Sequence, residues 1–93
     1  MLLADEVNLF LKTFDNMKRS DIPTKAVLIA CHRFHNGDEL APWEILMDEF
    51  DAPEKVVYAA MERENNKGRI DYGVSLRTAW VTPEGYEFLK TCS

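Results

Sequence analysis

Cysteine is scarce in this chain. Cys31 and Cys92 are the only two, 61 positions apart. No disulfide framework is expected from them, and reduced thiols in a cytosol are the simpler reading. Long hydrophobic runs are also missing, because the longest apolar stretch, residues 26–31, is far too short to cross a bilayer. Residues 1–4 are apolar but Asp5 and Glu6 follow at once, so no secretory signal is expected and the location expected is cytoplasmic. Positive charge is in deficit, with 11 Lys and Arg against 16 Asp and Glu and a net charge of −5. That balance works against tight nonspecific binding to phosphate backbones. No phosphate-cradling glycine loop, no nucleophile in a recognisable setting and no acid pair with a defined pocket is visible. An enzyme is therefore not expected, nor is a cofactor.

Glycine and proline number four each. No repeat, linker or low-complexity tract interrupts the chain, so its 93 residues read as one domain. A domain this small buries only roughly 60–65% of the surface its unfolded chain exposes, so most large apolar residues are needed for the core. The acidity is uneven. Residues 1–51 carry five basic and ten acidic side chains, whereas residues 52–93 carry six of each. The C-terminal half is the less repulsive surface for a polyanion.

The spacing of apolar residues predicts the elements. Leu3, Val7, Phe10, Leu11, Phe14 and Met17 form one stripe of an amphipathic N-terminal helix within residues 1–19. The stretch from Ser20 to Pro23 breaks it. A second helix, with Thr24 as its cap, places Val27, Leu28, Cys31 and Phe34 on one face and stops at Asn36-Gly37. The segment around Leu40 is expected to be extended, as a short third strand. Pro42 suits the first turn of a third helix that buries Trp43, Leu46, Met47 and Phe50.

Asp51-Ala52-Pro53-Glu54 reads as a capping box for a fourth helix, which runs to about Lys67, ends at Gly68 and turns Val57, Ala60 and Met61 inward. Beyond it the period becomes strand-like. Residues 69–72 alternate, 73–75 can turn, and 76–81 contain β-formers. Thr82-Pro83-Glu84-Gly85 then caps a last helix expected to bury Tyr86, Phe88 and Leu89.

Two short pieces carry a resemblance: Asn66-Lys67-Gly68-Arg69-Ile70 and Val81-Thr82-Pro83-Glu84-Gly85. With Leu46, Phe50, Ala52, Val57 and Ala60 at the apolar positions of a helix-turn-helix, residues 40–89 resemble the winged helix-turn-helix transcriptional regulators. The resemblance implies an α+β, mainly α fold with its core over 24–89, a two- to three-stranded wing sheet and an extra N-terminal helix. Three residues depart from the family pattern. Met47 stands where a small residue is usual, Asp51 where glycine often makes the turn, and Glu64 where a leucine often packs. Glu64 either pairs with Arg69 or Arg77 or faces water, and the cost of burying an unpaired carboxylate favours water.

In such a domain the helix after Asp51 would enter the major groove of DNA. Glu54, Lys55, Tyr58, Ala59 and Glu62 would lie near the bases, with Arg63 at an edge. Lys55 and Arg63 would hold phosphates, and Tyr58 would reach a phosphate or a thymine methyl. From the wing side Arg77, with Arg69 and Lys67 nearby, would meet the backbone or the minor groove. Double-stranded DNA is thus the expected partner of a sequence-specific regulator or accessory factor. A homodimer through Leu3, Val7, Phe10 and Phe14 would double its phosphate contacts, although the same stripe serves equally well to cover the domain's own core.

The alternative is an acidic protein-interaction module that does not bind DNA. Glu54 and Glu62 on the would-be reading face, and Trp43, Tyr58, Tyr72 and Trp80 as partly exposed anchors, point that way. Cys31 and His35, four apart on a helix, suggest a metal site only if Asp38, Glu39 or Cys92 completes it. Core packing for Cys31 and a helix-end position for His35 are the simpler expectations, and no metal is expected.

Overall fold

The computed structural model describes residues 18–91. They form a 3-10 turn (Arg19–Asp21), helices α1 (Thr24–His35), α2 (Pro42–Phe50) and α3 (Glu54–Asn66), strand β1 (Ile70–Asp71), a second 3-10 turn (Leu76–Thr78), strand β2 (Trp80–Val81) and helix α4 (Pro83–Thr91). The described residues are thus mainly helical, with one small antiparallel sheet in which Ile70 faces Val81 and Asp71 faces Trp80. The N-terminal helix expected over residues 2–17, and any dimer contact it makes, lies outside the described residues.

Prolines set the starts of α1 and α3. Pro23 and Pro53 sit at the N-cap positions with φ of −67° and −68°. The Pro23 carbonyl accepts from the Ala26 and Val27 amides, and the Pro53 carbonyl from those of Val56 and Val57. Thr24 is therefore the first helical residue rather than the cap, and its hydroxyl donates to Glu64 instead. Asp51 does not cap α3 either. It closes α2 in the left-handed region at φ 51°, the conformation for which glycine is usual. Glu54, freed of a capping role, pairs with Arg77. Pro42 opens α2 as expected, with the Ala41 amide donating to the Glu44 carboxylate.

The core lies where α1, α2 and α3 meet. Ile22, Val27, Leu28, Ile45, Leu46, Val57, Ala60 and Met61 are all buried there, joined by Ile70, Leu76 and Val81 from the hairpin. Ile45, rather than Trp43 or Met47, shares the buried side of α2 with Leu46, while Trp43, Met47 and Phe50 are half-buried.

Three expectations about the sheet side need correction. The Leu40 segment is not a strand, and the sheet has two strands. Asp38 ion-pairs with Arg33 and accepts the Leu40 amide at 3.1 Å, consuming the N–H a strand would have offered. The Leu40 N–H and the Arg33 guanidinium together hold the Asp38 carboxyl below its usual range. Most of residues 76–81 is not strand either. Ser75 accepts the Arg77 amide and starts a 3-10 turn that buries Leu76, leaving only Trp80 and Val81 to pair. In α4, Thr82 caps as expected by accepting the Gly85 amide at 3.1 Å. Tyr86 is exposed, Phe88 and Leu89 are half-buried, and the buried residue is Gly85. A Cβ there would lie 2.2 Å from the Arg69 carbonyl oxygen, so α4 reaches the hairpin only because that position has no side chain.

Candidate functional site

The six residues singled out in the sequence fall in three places. Lys55 and Tyr58 lie on the solvent face of α3, and with Glu54, Ala59, Glu62 and Arg77 they line one open depression of about 480 Å³. Helical spacing alone aligns the α3 residues, and the 3-10 turn after Ser75 delivers Arg77 beside them. The Arg77 guanidinium donates to the Glu54 carboxylate, with Nε at 2.9 Å, and both side chains are about half exposed. It also lies 5.2 Å from the Tyr58 ring centre and 5.8 Å from that of Trp43. The formal charges lining this depression cancel, with Lys55 and Arg77 balanced by Glu54 and Glu62.

Arg63 and Arg69 lie elsewhere, clamped on Glu64. This carboxylate is fully buried, correcting the expectation that it faces water. It accepts from Arg63 Nε at 2.6 Å, Arg69 Nη1 at 2.9 Å and the Thr24 hydroxyl at 2.8 Å. The two terminal nitrogens of Arg63 donate to the carbonyls of Arg19 and Ile22, each at 2.7 Å. Arg69 stacks on Phe88 at 4.4 Å. Burial by itself raises the Glu64 pKa, but the bonds from Arg69, Thr24 and Arg63 outweigh it and hold the carboxyl below its usual range. The cluster ties the start of α1, the end of α3 and the first strand together, with all three Arg63 nitrogens and one Arg69 nitrogen engaged. Lys67 is in the third place, a shallow depression of about 310 Å³ that it shares with Arg69, Glu84, Glu87, Phe88 and Thr91.

The Cys31 and His35 pair makes no ligand set. Cys31 is buried, and burial pushes its thiol up to about 12. The His35 Nε2 donates to the carbonyls of Thr78 and Ala79, at 3.3 and 3.2 Å. Among the described residues no three His, Cys, Asp or Glu side chains gather as metal ligands, and no helix is long and apolar enough to cross a membrane.

One surface escaped the sequence reading. Trp43, Glu44, Met47, Asp48 and Asp51 line a depression of about 390 Å³ along the outer side of α2. Its signal was present in the chain, since positions 43, 44, 47, 48 and 51 share one helical stripe. Assigning Met47 to the core, and weighing Trp43 only as a core residue or an isolated anchor, concealed it. Comparison with protein-family models, with curated proteins and with solved structures finds no match to this chain.

Proposed function

We propose that the chain is a winged-helix domain acting as a docking module for another protein, with α2, α3 and the Leu76–Thr78 turn presenting the docking face. The element order supports the winged-helix reading: helix, link, helix, tight turn, helix, hairpin and capped helix. The observation that carries the choice of partner is the fate of the arginines. Arg63 and Arg69 are committed to buried Glu64 and Arg77 to Glu54, while Glu44, Asp48, Asp51 and Glu62 stand on or beside the face a duplex would approach. Phosphates would meet more carboxylates than available cations there.

A second reading, sequence-specific recognition of duplex DNA as a transcriptional regulator, is favoured by the gathering of Lys55, Tyr58 and Arg77 around small Ala59 on one open helix face. In that reading Arg77 leaves exposed Glu54 for a phosphate, and pairing of two chains supplies the remaining cations.

Selection of randomised duplex DNA by the full chain, at low and near-physiological salt, separates the two. The docking module enriches no motif and retains no DNA at low salt. Enrichment of one motif, with binding weakened and its salt slope flattened in Lys55→Ala and Arg77→Ala, would establish the regulator instead.

A further inference from the structure

We propose that the outer stripe of α2 receives an arginine-bearing segment of the partner protein. The proposal rests on the docking reading above and names the partner's chemistry. The floor of the stripe is the half-buried Trp43 indole and the Met47 thioether, and its rim is Glu44, Asp48 and Asp51, with no basic side chain among the lining residues. Glu44 spends one oxygen on the Ala41 amide, whereas the side-chain carboxylates of Asp48 and Asp51 make no hydrogen bond or ion pair with any described residue. Their neighbour Glu49, on another side of the same helix, is neutralised by Arg33 at 2.8 Å. Within α2, the carboxylates without a basic partner therefore lie along the stripe.

The molecule already shows this kind of interaction at the edge of the stripe. Arg77 lies over Tyr58 and the same Trp43 indole while its fork engages a carboxylate. An incoming guanidinium would find that combination again, a flat π face for stacking and carboxylates for its donors. Arginine fits better than lysine because its planar fork can do both at once. A cation between three like charges also relieves their mutual repulsion. The nine residues of α2 are about 13 Å long, which limits the segment to about two or three helical turns or about four extended residues.

The test is to pan a displayed library of random 12-residue peptides on the full chain and titrate synthetic versions of the winners. The comparison variant is Asp48→Asn/Asp51→Asn, which keeps side-chain size and places at 51 a residue that tolerates the left-handed backbone. Its fold is checked by circular dichroism. The expected winners contain arginine, bind the double variant at least tenfold more weakly, and bind Glu39→Gln within twofold of the parent.

An empty selection, winners without basic residues, or equal binding to the double variant would overturn the proposal. So would a dimer in sedimentation that the double variant dissolves, since the occupant would then be a second copy. Loss of the docking reading itself shows differently, as a DNA motif that requires Lys55 and Arg77.

Discussion

At Glu64 three donors converge on one carboxylate that water does not reach, and the consequences are specific to that residue. Glu64→Ala strands two arginines and the Thr24 hydroxyl and should cost about 3–5 kcal/mol, the usual effect of removing one partner from a buried ion pair. Urea unfolding measures this, and a loss near zero would mean the carboxylate is solvated. The pH dependence follows from its depressed pKa. The stabilising contribution is complete above the unfolded carboxyl's ordinary 4.5 and is lost as pH falls through the lower folded value. Parent stability should therefore fall on acidification below about 4.5, and Glu64→Gln should show a shallower acid limb in unfolding curves taken from pH 6 to 2. Sequence reading had identified Arg69 as a possible partner for Glu64. It could not choose burial, because the compensating donors come from residues 24 and 63 as well as 69.

The elements are joined at two backbone positions with opposite demands. Asp51, between α2 and α3, occupies the left-handed region at φ 51°. Asp51→Gly should be neutral or slightly stabilising in thermal unfolding, while Asp51→Val should lose about 1–2 kcal/mol by forcing a β-branched residue into that region. Gly85 must lack a side chain because α4 crosses the hairpin there, with the Arg69 carbonyl and Val81 Cγ1 at 2.2 and 2.7 Å from a would-be Cβ. Gly85→Ala should destabilise by about 1–3 kcal/mol or more as α4 is pushed outward. Gly73→Ala, where the nearest side-chain atom would be Trp80 at 3.8 Å, should change stability far less. Both glycine and turn positions stood out in the chain as punctuation. The short extent of the strands did not, because β-forming residues 76–81 carry no mark of the Ser75 hydroxyl that diverts them into a 3-10 turn.

For the whole molecule, one core holds the helices together and Cys31 reports on it. The thiol is buried and its pKa is raised to about 12, so the reactive thiolate is scarce in the folded state. In a Cys92→Ser background, labelling of Cys31 by a thiol reagent at neutral pH should occur only at the rate of core opening. It should accelerate with denaturant in step with unfolding. Rapid labelling in native buffer would show that the elements packed against α1 do not cover this position. The proposed docking face belongs to this scale too, since its electrostatics arise from three elements brought together rather than from any one.

Local chemistry alone determined the order and approximate limits of the helices from Thr24 onward, the stops at Gly37 and Gly68, the Thr82 cap and the buried faces of α1 and α3. Apolar periodicity and the special backbone needs of glycine and proline act within a few residues, so they can be read along the chain. Which charged groups pair was decided only by tertiary structure. Arg63 and Arg69 looked like phosphate ligands until the fold brought Glu64 between them. Arg77 looked like a free wing cation until it met Glu54 across 23 positions. Charge compensation between distant residues has no signature in linear spacing, and that is why the fold could be read from the chain further than the face it presents.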